Sequence, residues 1–421
     1  MNLVRTSGRP SMRCVEAWGK LSDLVLGGVV GAVIAIVIPA TYAGTTRLRQ
    51  ARAVRRQRAR AGSTAALSAW MIDYYRGQGV VDDLYRCDIH GHRRRVGFLT
   101  TSAWIWRDRR VSTGAVVRLD PTPVPDFAVD RRAIARRRRI GQRIFENPSV
   151  TLSAVEAGPS APLVVQRCGY LPIASTIIAF EDETFRAAFG RGKRQRTPLR
   201  DAYLTSVEQA GRLARQPRSL GCVSLVAIRS ATGYDFLLSR RSHETVSYGG
   251  VYCAVPNFGL EPLEDRWGDR HDLVTLNFVK EFMEELFNYE ELISIMASRR
   301  ADSCWFLELE EARVLVELMG SGAIDVECLG FGFDALNGNG LLALLWIVDD
   351  PDYGAELRRS MSLNWEIDVN DQGPPAVEFV DIGDARLEAW LLEDLLHPGT
   401  AFALSEAIPR VAARLSSLGP T

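Results

Sequence analysis

Apolar positions follow three rhythms along the 421 residues. The first is an unbroken run, 24–46, with no charged residue and with Leu, Val, Ile, Ala and Gly dominant. It is long enough to cross a bilayer as one helix. The second rhythm is that of short β-branched and aromatic runs bounded by turn residues, which read as strands. These are 84–105, folded as a hairpin around Gly91; 163–180; 222–228 and 234–238, joined through Ala231-Thr232-Gly233; 251–255; and 341–348. The third is helical spacing of three and four. It covers 65–75, 199–213 with Pro198 in a tolerated first-turn position, 405–415, and a ridge of Leu276, Val279, Met283 and Leu286.

Arginines at 47, 49, 52, 55, 56, 58 and 60 follow the apolar run and outnumber Arg5, Arg9, Arg13 and Lys20 before it. The positive-inside rule then places residues 1–23 outside and everything after 46 in the cytoplasm, as a single-pass protein of the cell membrane. A cleaved signal peptide is the rival reading, since Ala40-Thr41-Tyr42-Ala43 offers small residues, but the length of the run and its basic downstream flank oppose export. The expected fold class is α+β: a transmembrane helix at 24–46, a basic juxtamembrane segment at 47–62 facing the lipid bilayer, an α+β region at 63–217 and a second domain at 218–421. Gly27 and Gly31 permit close helix packing, which leaves a homo-oligomer open.

Formal net charge is zero, yet residues 1–218 hold 37 Lys+Arg against 17 Asp+Glu and the remainder holds 14 against 34. Such asymmetry fits a basic surface facing anionic lipid, nucleic acid or phosphates, or two halves that attract each other. The basic run 131–143, interrupted by Ala133, Ile134, Ala135 and Ile140, reads as a solvated helix face or as a phosphate or membrane contact. No aromatics interleave with it, so no base-stacking surface is expected, nor a duplex nucleic acid partner. Seven cysteines lie singly with no CxxC, which argues for reduced thiols over a disulfide framework or thiolate zinc site. Cys87, His90 and His92 raise a metal reading, weighed against the ordinary fate of turn-flanking histidines.

The chemistry concentrates on Lys280-Glu281-Phe282-Met283-Glu284-Glu285. As a helix it projects three carboxylates from the face opposite the apolar ridge, and each like-charge pair costs a few tenths of a kcal/mol. A bound divalent cation would relieve that crowding; a merely solvated glutamate face is the alternative.

Strands leading to Asn257-Phe258-Gly259, followed by this helix, resemble the Nudix superfamily. Its box reads Gly, five residues, Glu, seven residues, Arg-Glu-apolar-any-Glu-Glu-any-Gly-apolar. Here it runs Gly259, five residues, Asp265, fourteen residues, then Lys280 to Asn288, with Leu237 to Ser242 and Val255 to Gly259 resembling the strands before the box. Asp265 replaces Glu, Lys280 replaces Arg, Phe287 replaces Gly and Asn288 replaces an apolar residue. The resemblance covers roughly residues 218–421 and implies a Nudix-like α/β/α sandwich with a mixed sheet. It implies Glu284 and Glu285 as metal ligands, Glu281 as ligand or base beside Lys280, and Gly259 and Asp265 in the substrate loop. Mg²⁺ or Mn²⁺ would be the cofactor, with a further acid among Asp334, Asp349 and Asp350.

Two functions follow from the resemblance. One is hydrolysis of a nucleoside diphosphate linked to another moiety. The other is a nucleotide sensor of weakened turnover, similar in layout to bacterial antiphage effectors that join transmembrane helices to Nudix-like domains. A third reading is an unrelated α+β scaffold.

Overall fold

The computed structural model describes residues 64–107, 111–155, 162–190, 196–212, 216–263, 272–289, 304–362, 367 and 377–417. Along them run β1 (Leu84–Ile89), β2 (His92–Leu99), β3 (Val117–Asp120), β4 (Pro148–Val155), β5 (Leu163–Gly169), β6 (Leu220–Arg229), β7 (Tyr234–Arg240), β8 (Tyr252–Ala254), β9 (Asn257–Gly259), β10 (Ile324–Asp334), β11 (Gly340–Val348) and β12 (Val377–Asp381). The large sheet has the order β1-β2-β10-β11-β6-β7-β12, with β8 on β7 and β9 on β6; β3-β5-β4 form a smaller sheet. In the large sheet β11 and β6 are parallel and the other neighbours antiparallel. The sheet is thus mixed, and it takes β1 and β2 from before residue 218.

Its centre is apolar on both faces. Every residue of β11 is buried, as is β6 up to Ile228. With a period of two, Cys222, Val226, Ile228, Leu342, Leu344 and Trp346 face one layer, while Val223, Leu225, Ala227, Leu341, Leu345 and Ile347 face the other. The helix Leu273–Phe287 covers the first face, where Phe278 stacks on Trp346 with ring centroids 3.5 Å apart. The helix Pro398–Ser417 covers the second, where Phe402 stacks on Phe98 at 4.4 Å. Each layer supplies what a sheet with two apolar faces requires.

The expected single-pass architecture and cell-membrane location are corrected here. Among the described residues no helix is long and apolar enough to cross a membrane. The run 24–46, the basic segment 47–62 and the cleavage-site alternative all lie outside the described residues. Two described helices, Tyr170–Phe189 and Pro398–Ser417, reach 20 residues. The first carries Glu181, Asp182, Glu183 and Arg186, and the second Glu406, Arg410 and Arg414. Both pack their apolar sides on protein.

Local expectations meet the structure unevenly. The first hairpin turns at His90 and Gly91, both at positive φ (50° and 87°), the conformation that a two-residue hairpin loop demands. Residues 170–180, expected as strand, are helical: Pro172 lies in the first turn, where an amide hydrogen has no helical partner, and Ile173, Ile177 and Phe180 share a buried side. The expected helix 199–213 is two short ones, Pro198–Tyr203 and Val207–Gly211, with Ser206 Oγ accepting from the Gln209 amide to start the second. Cys87, His90 and His92 do not converge. Cys87 is buried and donates to the Ala401 carbonyl, whereas both histidines lie against Glu388.

Two glycines let β10 approach β2 and the closing helix. A Cβ on Gly332 would stand 2.5 Å from the Leu99 carbonyl and 2.5 Å from the Phe98 ring; one on Gly330 would stand 2.6 Å from the Trp104 carbonyl. By contrast, nothing lies within 4 Å of a Cβ on Gly259. Gly332→Ala is therefore expected to destabilise by about 1–3 kcal/mol in denaturant unfolding, while Gly259→Ala stays within about 0.5 kcal/mol of the parent.

Candidate functional site

The acidic helix Leu273–Phe287 begins where the Asp272 side chain accepts from the Val274 and Thr275 amides at 3.0 and 3.1 Å. It ends at Asn288, whose φ of 54° supplies the left-handed cap that Gly would otherwise furnish, so Phe287 is free to pack against the core. Leu276, Val279, Met283 and Leu286 are all buried, as their spacing requires.

Lys280, not the glutamates, sits at the centre of the site. It is 3% exposed, and its Nζ lies 3.0 Å from Glu284 Oε2, 3.1 Å from Glu281 Oε1 and 3.5 Å from Glu261 Oε1. Glu261 comes from the segment after β9 and is held by Asn277. That side chain accepts from the Glu261 amide at 2.8 Å and donates to the Glu261 carbonyl at 2.9 Å. Asn277 lies one turn before Glu281 on the same helix face. Glu285 is separated from this group: it is 4% exposed and accepts from the Asn257 amide at 3.2 Å, tying the helix to the start of β9. Gly259 lies within β9, paired with Gly221, and Asp265 lies outside the described residues.

Three carboxylates around one ammonium leave a surplus of negative charge in a poorly hydrated place. Burial, then the charge of Glu281, pushes the Glu284 carboxyl up to about 8, and burial likewise raises Glu261. For Lys280 burial opposes the charge, but Glu281, Glu261 and Glu284 outweigh it, so its ammonium is held far more firmly than usual.

The expected Mg²⁺ or Mn²⁺ does not fit this arrangement. Among the described residues no three His, Cys, Asp or Glu side chains are disposed to hold a metal ion. The point on which Glu261, Glu281 and Glu284 converge holds Lys280 Nζ, and Glu285 is turned to a backbone amide.

Of the later acids, Asp349 pairs with Arg414 and accepts from the Tyr234 hydroxyl, and Asp350 caps the helix Pro351–Ser360. Asp334, at the end of β10, is different. It is 2% exposed and accepts from the Tyr248 hydroxyl at 2.8 Å and the Leu336 amide at 2.7 Å. Burial pushes its carboxyl up to about 7, and burial with the Arg241 charge lowers His397, 4.0 Å away, to about 3. Near it Glu181 and Arg137 form a buried pair at 3.1 Å. Sequence reading missed Glu261, Asn277, Tyr248 and this pair. Only Asn277 carries a local signal, its place one turn before Glu281. Neither a protein-family model nor a curated protein matches the chain.

Two outcomes follow. Lys280→Ala leaves three carboxylates without their counter-charge and is expected to destabilise by about 3–5 kcal/mol, with Mn²⁺ restoring part of the loss in thermal unfolding of the variant but not stabilising the parent. For Asp334, a carboxyl raised from 3.8 to about 7 takes up a proton on folding. Its contribution is fully present below about pH 4 and is lost as pH rises through about 7, with a slope of up to about 1.4 kcal/mol per pH unit. Asp334→Asn should flatten that slope in urea melts between pH 4 and 7.

Proposed function

We propose that this chain uses a Nudix-like scaffold to bind a nucleotide ligand as a sensor, with little or no metal-dependent turnover. One observation carries the reading: the ammonium of Lys280 stands among Glu261, Glu281 and Glu284, where a catalytic cation would be needed. A divalent ion polarises phosphoryl oxygens and lowers the pKa of an attacking water. A buried ammonium only donates hydrogen bonds; it holds the carboxylates together and offers no coordination position for water or phosphate. The layered mixed sheet, with the acidic helix on one face and the closing helix on the other, agrees with the architecture that the resemblance implies. The surplus negative charge also disfavours a diphosphate at the acidic helix itself, which points to ligand recognition elsewhere on the molecule.

The test is the full chain with Mg²⁺ or Mn²⁺, offered dinucleotides, nucleotide sugars and cyclic oligonucleotides. At least one nucleotide class is expected to stabilise the fold, by about 2.7 kcal/mol at a hundredfold excess over Kd, while remaining uncleaved. Metal-dependent cleavage abolished by Glu284→Gln would overturn the sensor reading in favour of a hydrolase. A melting temperature unmoved by every nucleotide would leave the scaffold without a nucleotide role.

A further inference from the structure

A partly enclosed cavity of about 110 Å³ lies away from the acidic helix, and no residue of the Lys280 cluster lines it. It opens between the helix Thr64–Gly77, the loop after β7 and the sheet end at β2 and β10. Leu67, Met71, Val96 and Leu336 provide apolar walls, and Arg137, Gln142, Glu181 and Ser247 provide a polar floor.

The floor is a hydrogen-bond network in which most donors of Arg137, Gln142 and Ser247 are engaged. Arg137 Nη2 donates to Glu181 Oε2 at 3.1 Å and to Asp182 Oδ1 at 2.9 Å, and its Nη1 donates to Gln142 Oε1 at 3.4 Å. Gln142 Nε2 donates to the carbonyls of Thr245 and Val246 at 2.9 and 2.8 Å, fixing the loop that forms the far wall. The Ser247 hydroxyl donates to Glu181 Oε1. Each carboxylate oxygen has room for about two hydrogen bonds, so acceptor capacity remains on Glu181 after these contacts. The charge balance favours donors over anions. Glu181 is 2% exposed and Asp394 joins the lining, while Arg137 is shared between two carboxylates and Arg94 is paired with Asp394.

Size narrows the occupant further. An enclosed apolar cavity of about 150 Å³ takes up benzene; this one is smaller, about 110 Å³, but open on one side, so a single flat ring would enter in part with the remainder of the molecule outside. We propose that the cavity is a binding site for a planar nitrogen heterocycle or amidine that presents N–H donors to Glu181 and stacks its faces between Leu67, Met71 and Leu336. In the sensor reading, on which the link to nucleotides rests, this would be the base end of the ligand. The cavity assignment itself needs no property of the acidic helix.

The test uses benzamidine and 2-aminopyrimidine as donor probes and benzoate as the anionic counterpart, with the full chain, by thermal shift and calorimetry. Expected is saturable stabilisation by the two donor probes and none by benzoate. Two variants decide the location. Glu181→Gln removes the acceptor, and Thr64→Trp adds bulk at a half-exposed lining residue outside the buried network; each should weaken the donor probes at least about tenfold. If Glu181→Gln does not fold, Thr64→Trp alone carries the decision. Absence of any donor-probe shift, or shifts unchanged in Thr64→Trp, overturns the cavity assignment. Stabilisation by nucleotides that is indifferent to Thr64→Trp would overturn it while leaving the sensor reading intact.

Discussion

A parallel strand pair with no polar face is stable only if both sides are roofed, and β6 with β11 imposes that requirement on the rest of the chain. Phe278 against Trp346 fixes the acidic helix on one side, and Phe402 against Phe98 fixes the closing helix on the other. Once the acidic helix is seated by its apolar ridge, its other positions have no freedom left. Lys280 and Asn277 must meet the segment descending from β9, and Glu285 must meet the start of that strand. The electrostatic centre is thus a consequence of how the sheet is covered.

The lysine suits that position better than an arginine would. Of three lysines beside 48 arginines in the chain, Lys280 alone lies among the described residues. Its ammonium is a compact point charge with three donors, matched to three carboxylates converging from different directions. A guanidinium is a planar fork matched to one or two. In three dimensions the lysine is a counter-ion shared by Glu261, Glu281 and Glu284.

Legibility in the sequence followed the range of the forces involved. The β6–β7 hairpin, the β1–β2 turn at Gly91 and the amphipathic ridge were readable because turn chemistry and periodicity are local. Residues 170–180 misled because a β-branched run buried on a helix looks like a strand until the first-turn proline is weighed. The joining of β2 to β10, the recruitment of Glu261 to Lys280 and the pairing of Arg137 with Glu181 were invisible, since each depends on segments brought together only by the assembled sheet and its covering helices. The three glutamates were visible as a charge pattern, but not their division into two that share an ammonium and one that holds a backbone amide.

The cavity has one wall that is topologically unlike the others. Leu67 and Met71 belong to the first described helix, which Tyr74 and Tyr75 tie by hydrogen bonds to Asp201 and to the Leu204 carbonyl, whereas the floor is cross-linked by hydrogen bonds to the loop after β7. Such a pocket exists only in the fraction of molecules whose first helix is seated. Apparent affinity is the intrinsic affinity scaled by that fraction, and occupancy in turn raises it. In the proposed site the helix would therefore be part of the recognition surface, with its seating and the ligand's occupancy linked.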